Sequence, residues 1–303
     1  MKRVLSPSLG SPKGDYDITR TFLGEDVRIQ RIGTDSDVAK FVELIDSEDG
    51  KVDCFGFGGG DVWVVAGGKR YTWRREAKMA AHARKSPLVD GSGLKNTIER
   101  ETIGYLAREG IVDFAKSKTL VVSAVDRFGI AEAVAEQGGQ FIFGDIIFGL
   151  GLPIPIRSAR GLRVIAAIVL PIITQLPQPW FYPTGKKQEE IVPKFPRYYE
   201  WADVICGDFQ YIRRHLAPKL DGKVIITNTT KPGDLELLRE RGVRLLVTST
   251  PDITLEGRTP GTNVLEALIV ALSGKRPAEM SVDDYMRVLG QMEWRPRIVE
   301  VQR

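Results

Sequence analysis

From residue 119 onward the chain alternates short apolar runs with amphipathic stretches, and this rhythm constrains the fold more than any other feature. Residues 119–125, 141–143, 204–206, 224–227 and 245–248 read as buried strands, and helices begin near Gly129, Arg157, Phe209, Asp234 and Thr262. Strands apolar on both faces must be covered on both faces, and a helix between each pair returns the chain to the same edge. The pattern predicts a doubly wound parallel sheet. The preceding stretch is a less regular mixture. Residues 3–5, 27–32 and 52–57 read as strands, and Asp35-Ser36-Asp37 caps a helix with Val38, Phe41, Val42 and Ile45 on one face. Residues 62–66 and 69–71 form a hairpin about Gly67-Gly68. The expected fold class is α/β: an N-terminal α/β domain over 1–117, a Rossmann-like parallel-sheet domain over 118–277, and a C-terminal helical tail over 278–303 whose helix is capped by Ser281.

A chain of 303 residues with 43% hydrophobic content can bury two ordinary cores. Its formal charge of +4 favours an anionic small-molecule partner but falls short of a nucleic-acid footprint. Two cysteines and two histidines exclude a disulfide framework and leave no cluster for a structural metal. Ser6-Pro7-Ser8-Leu9-Gly10 stands where a secretory leader would be apolar, which predicts a cytoplasmic protein. Residues 164–173 are about half the length of a membrane span and are expected to form a buried helix. The oligomeric state is left open, a homo-oligomer being one option.

The run Leu88-Val89-Asp90-Gly91-Ser92-Gly93-Leu94-Lys95-Asn96-Thr97 reads as a strand end, a polar turn and the start of a helix over 94–108. With Ser92 as N-cap, Lys95 takes the third helical position, where a capping box places Glu or Gln and the helix dipole opposes a cation. Strand-to-helix turns at carboxyl ends of strands are where open α/β proteins hold ligands. Lys95 with Asp90 is therefore the candidate catalytic pair, with Ser92, Asn96 and Thr97 offered to substrate. The alternative is a solvated lysine on a well-capped helix. The glycine-to-lysine spacing excludes a phosphate-binding P-loop.

In the second unit the first strand-to-helix turn is Ser123-Ala124-Val125-Asp126-Arg127-Phe128-Gly129. A G-x-G-x-x-G alignment ending on Gly129 puts Ala124 and Asp126 in the first two glycine positions, and Asp145 falls where an acid holds a ribose diol. Hydroxyl-rich strand ends follow at Thr227-Asn228-Thr229 and Thr248-Ser249. Asp126, Arg127, Gly129, Asp145, Thr227, Asn228, Thr229, Thr248 and Ser249 are candidate cofactor-binding residues for NAD or NADP, with ordinary loop capping as the alternative for the hydroxyls. The loop 257–263 offers Arg258 and backbone N–H groups to an anion. Tyr182-Pro183-Thr184-Gly185-Lys186-Lys187-Gln188 reads as a lid or crossover loop.

Together, Val89-Asp90-Gly91-Ser92-Gly93-Leu94-Lys95-Asn96-Thr97, Val125-Asp126-Arg127-Phe128-Gly129, Phe143-Gly144-Asp145 and Tyr182-Pro183-Thr184-Gly185 resemble a group of bacterial proteins catalogued as quinate 5-dehydrogenase. The resemblance implies an NAD(P)-dependent oxidoreductase acting on a hydroxylated cyclic acid, with the ligand in a cleft between the domains. In the related shikimate and quinate dehydrogenases a lysine and an aspartate from two separate elements handle the hydroxyl proton. Lys95 matches that lysine by role, with Asp90 the nearest candidate partner. The competing reading is a non-redox α/β protein that binds a nucleotide or an acidic metabolite in the same cleft.

Overall fold

A computed structural model describes residues 1–181, 190–251 and 259–302. The first unit runs β1 (Lys2–Ser8), β2 (Tyr16–Phe22), β3 (Glu25–Gly33), α1 (Val38–Glu48), β4 (Cys54–Gly56), the hairpin β5 (Trp63–Ala66) and β6 (Lys69–Thr72), α2 (Arg74–Ala80) and β7 (Leu88–Val89). Its sheet has the order β2-β3-β1-β4-β7, parallel throughout except for β2 against β3. Then come α3 (Ser92–Lys95) and α4 (Ile98–Arg108), which lead into the second unit.

That unit contains β8 (Lys118–Val121), α5 (Phe128–Gln137), β9 (Gln140–Phe143), α6 (Ala159–Ile173), α7 (Pro196–Trp201), β10 (Val204–Cys206), α8 (Phe209–Arg214), β11 (Val224–Thr227), α9 (Pro232–Glu240) and β12 (Leu245–Thr248). The chain ends with α10 (Thr262–Ser273), α11 (Val282–Gln291) and β13 (Arg297–Glu300). The second sheet has the order β13-β12-β11-β10-β8-β9. Five of its strands are parallel, as the apolar rhythm predicts, and β13 runs antiparallel to β12. The molecule is thus an α/β protein with two sheets, both largely parallel. Strand order reverses between β1 and β4 in one sheet and between β8 and β10 in the other, and a crevice opens at such a reversal at the carboxyl ends of the strands.

Three features depart from the sequence reading. The helix at Thr262, assigned to the second unit, lies on the first sheet. Val264, Leu265, Leu268 and Ile269 of α10 share a core with Val4, Val27, Ile29, Cys54 and Val89, while Phe41 and Ile45 of α1 cover the other face with Leu5, Phe55 and Phe57. A parallel sheet buried on both faces needs a second helical layer, and α10 supplies it from about 200 residues away. The segment expected to be a helical tail carries β13 as well, while Ser281 caps α11 as expected. Finally, α6 is not buried all round: Leu162, Ala166 and Leu170 face the core, but Val164, Ile168 and Ile172, four residues apart, are exposed. No described helix is long and apolar enough to cross a membrane.

Candidate functional site

The carboxyl ends of the two sheets meet at a cleft of about 210 Å³. From the first unit it is lined by the loop after β4 (Phe57, Gly59, Gly60, Asp61), by Asp90 after β7, and by Lys95. From the second come Asp126 and Arg127 after β8, Gln178 in the turn after α6, Asp208, Gln210 and Tyr211 around α8, and Asn228 and Thr229 after β11. Gly261, Thr262 and Asn263 close it at the start of α10.

Lys95 sits in the floor of this cleft, for a reason other than the one its sequence suggests. The helix expected over 94–108 is broken at Asn96-Thr97, so Lys95 ends a four-residue helix instead of standing near the start of a long one. A cation is welcome at that end. Its ammonium bridges the units, with Nζ 2.8 Å from Asp61 Oδ1 and 2.7 Å from Asp126 Oδ1. Gln178 fixes Asp61 by its backbone, its Oε1 accepting from Asp61 N at 3.2 Å and its Nε2 donating to Asp61 O at 3.4 Å. Beyond Asp126 the network continues through Arg127, whose Nε lies 3.1 Å from Asp126 Oδ2 and whose guanidinium bonds Glu99 and, at 2.7 Å, Asp208 Oδ2.

Two cations thus face four carboxylates, and burial together with these neighbours shifts Lys95, Asp126 and Asp61 in different directions. Burial disfavours the charge on Lys95, but Asp126 and Asp61 outweigh it and hold the lysine above its ordinary value, fully cationic. Burial likewise opposes ionisation of Asp126, and Lys95 and Arg127 overcome it, leaving Asp126 at about 2. Asp61 goes the other way: burial, only partly offset by Lys95 and reinforced by Asp126 and Asp90, raises it to about 7. Within this cluster Asp61 is the raised acid that also lines the cleft, and it stands beside a cationic Lys95.

Asp90 is not the partner of Lys95. Its Oδ2 accepts from the N–H groups of Val62 and Trp63, both at 2.7 Å, and its Oδ1 from Ser92 N at 3.0 Å. The hairpin entered at Val62 occupies the carboxylate that was expected to tune the lysine. Ser92, Asn96 and Thr97 do not line the cleft. Asn96 Nδ2 bonds Val65 O at 3.3 Å, and the Thr97 hydroxyl bonds back to Gly93 O.

The expected dinucleotide turn is present in topology and closed in detail. Asp145 is engaged by the turn itself; its carboxylate accepts from Val125 N at 2.8 Å and Ala124 N at 3.2 Å. Those are amides of the turn that would receive a pyrophosphate, and an acidic side chain already fills their place. Gly129 is buried against the lysine turn, where an added Cβ would lie 2.5 Å from Lys95 O and 2.9 Å from Asn96 Cα. It permits α5 to pack on α3 and gives no approach to a phosphate. The β8 turn therefore does not fit a dinucleotide bound in the usual way, and the cleft is smaller than the roughly 300–1,000 Å³ of common ligand pockets.

Among the hydroxyl-rich strand ends, only Asn228 and Thr229 reach the cleft. Asn228 Nδ2 donates to Asp208 Oδ2 at 3.2 Å, and Thr229 is tied to Thr259 through Oγ1–O and Oγ1–Oγ1 bonds of 2.7 and 2.8 Å. Thr227 bonds Asn228 Oδ1, and Thr248 bonds Thr250 O; these are loop-capping contacts. Ser249 is buried away from the cleft. The loop Tyr182-Pro183-Thr184-Gly185-Lys186-Lys187-Gln188 and Arg258 lie outside the described residues. Asp61, Glu99 and Asp208 were missed by the sequence reading, although Gly58-Gly59-Gly60-Asp61 at a strand end carries the same signal that singled out the lysine turn. Among the described residues no group of acidic, histidine and cysteine side chains is arranged to hold a metal.

Similar folds occur in solved structures at low likeness. A galactofuranose binding protein is 11% identical, with TM-score 0.37, covering 97% of this chain and 99% of that one. The NAD-dependent malic enzyme from Thermotoga maritima is 13% identical, with TM-score 0.37 over 96% of this chain and 84% of the enzyme. A glutamate dehydrogenase is 12% identical, with TM-score 0.43 over 96% and 70%. No curated protein matches the chain. Residues 3–90 match a family model described as "Domain of unknown function (DUF8753)", and a second model begins just past Gly91 and Ser92 in the lysine turn. That second model, described as "Domain of unknown function (DUF8754)", matches residues 93–301, and the chain belongs to this family.

Proposed function

We propose that the protein binds a hydroxylated small molecule in the cleft between its sheets, and that Asp61, held against the Lys95 ammonium, exchanges the proton of a ligand hydroxyl. The observation that carries this reading is the Lys95 bridge between Asp61 and Asp126, a buried acid–base cluster built from both units at the point where both sheets reverse their strand order. Lys95 stays charged and stabilises a developing alkoxide, Asp61 takes or returns the proton, and Asn228 with Gln210 lines the opposite wall. No step is assigned to a nicotinamide, because Asp145 fills the turn that would hold its pyrophosphate.

A second reading is favoured by one specific observation. Lys95 and its aspartates come from separate elements, as the resemblance to shikimate and quinate dehydrogenases implies they should, which supports NAD(P)-dependent oxidation of a quinate-like acid. Thermal denaturation with quinate, shikimate, myo-inositol, NAD and NADP separates the two, since a ligand specific for the native state raises its stability by mass action. Stabilisation by a hydroxylated compound, lost in Asp61→Asn and absent with NAD or NADP, supports the first reading. Stabilisation by a nicotinamide cofactor, with its reduction in the presence of quinate, replaces it with the second. No shift with any hydroxylated compound overturns both.

A further inference from the structure

Among the described residues, both cations that line the cleft are engaged by carboxylates: Lys95 by Asp61 and Asp126, Arg127 by Glu99 and Asp208. Until Asp61 takes up a proton, neither is free to meet an anion. The opposite end of the cleft has a different character. There the twelve-residue helix α10 begins, with Gly261, Thr262 and Asn263 in the wall. A helix N-terminus carries about half a positive charge and unpaired N–H groups. In α10 the amides of Val264 and Leu265 bond Gly261 O at 3.0 and 3.1 Å, whereas those of Thr262 and Asn263 have no acceptor among the described residues.

Independently, the Thr262 side chain, only 5% exposed, has a buried hydroxyl with no hydrogen-bond partner. An unsatisfied buried hydroxyl costs free energy, and Thr262 lines the cleft, where a small bound group would give that hydroxyl a partner. The position is also built. Asn263 Nδ2 donates to Ser6 Oγ at 2.9 Å and Gly56 O at 3.0 Å, seating the first turn of α10 on the carboxyl ends of β1 and β4. Glycine is required beneath it, since a Cβ on Gly56 would lie 2.8 Å from Asn263 O and one on Gly91 would lie 3.0 Å from Asn263 N.

We infer that the start of α10 holds an oxyanion of the ligand, a carboxylate or a phosphate, through the Thr262 hydroxyl and the first free amides of the helix. This rests on reading the cleft as a small-molecule site and assigns the class of ligand: a compound with an anionic group at α10 and a hydroxyl at Asp61.

The test uses inorganic phosphate and acetate as probes of the full chain, at matched ionic strength, in wild type, Thr262→Val, Thr262→Ser and Asp61→Asn. Without an anion, Thr262→Val should keep or slightly raise the melting temperature, because the lost hydroxyl makes no bond. With phosphate or acetate, wild type, Thr262→Ser and Asp61→Asn should be stabilised, and Thr262→Val should bind about tenfold more weakly, the scale of one hydrogen bond to a charged group. A response to phosphate alone identifies a phosphorylated ligand, and one to acetate identifies a carboxylic acid. Equal binding by wild type and Thr262→Val, or no response of wild type to either ion, overturns the inference. Myo-inositol keeps the two claims apart: its binding should survive Thr262→Val and be lost in Asp61→Asn, so failure of the hydroxyl reading shows there and not in the phosphate series.

Discussion

Lys95 was legible in the sequence for a reason that the structure replaces. A lysine at a strand-to-helix turn is an informative position, but the opposing helix dipole that made it stand out is absent, because the helix breaks at Asn96 and Lys95 sits at a C-terminal end. Its partner was not legible, since Asp90 is claimed by backbone amides at Val62 and Trp63, and no local pattern reveals which distant amides will reach a carboxylate. Removing one member of a buried ion cluster strands the rest. Lys95→Met should therefore lower stability by about 3 kcal/mol, read from urea unfolding, because Asp61 and Asp126 are left buried without a cation. Adding Asp61→Asn and Asp126→Asn should recover most of that loss, as expected when the three residues act as a unit. A wild-type urea midpoint for Lys95→Met alone would mean that the cluster opens to solvent.

The elements that sequence predicts best are those whose two faces are both buried. β10, β11 and β12 match the expected 204–206, 224–227 and 245–248 because every residue in them is buried, so the apolar run and the strand coincide. Strand β2, largely exposed along its length, left no such run, and β13 alternates between exposed and intermediate residues. The docking of α10 on the first sheet was illegible because it is a property of two cores compared, not of the helix itself. Gly129 shows how closely elements are fitted at the site: Gly129→Ala forces α5 away from the Lys95 turn and should cost about 1–3 kcal/mol by overpacking. Gly290→Ala, in α11 with nothing within 4 Å of the added carbon, should stabilise by about 0.5–1 kcal/mol. The pair of urea midpoints checks the contrast, and equal effects would count against the α5–α3 contact.

At the scale of the molecule, the buried acids make stability depend on pH in an unusual direction. Burial raises Asp61, Glu99, Asp145 and Glu266 each to about 7. An acid whose folded value lies above its unfolded one binds its proton more tightly in the native state, so its contribution is present at low pH and is lost as pH rises from about 4 to about 7. His215 opposes this, since burial lowers it to about 4 and its contribution falls as pH drops below about 6.5. Four acids outweigh one histidine, and the urea midpoint should be higher at pH 5 than at pH 7.5; the opposite order would mean that these carboxylates ionise freely. The central claim, a cleft that works on a hydroxylated ligand while Asp145 closes the dinucleotide turn, is tested most directly by mapping backbone amide shifts in the NMR spectrum as quinate and then NAD are added. Quinate should move the amides of Gly59, Gly60 and Asp61 together with those of Asn228 and Thr229, and NAD should leave Ala124 and Val125 where they are. Large shifts of Ala124 and Val125 on adding NAD, with the Asp61 loop silent toward quinate, would contradict the account.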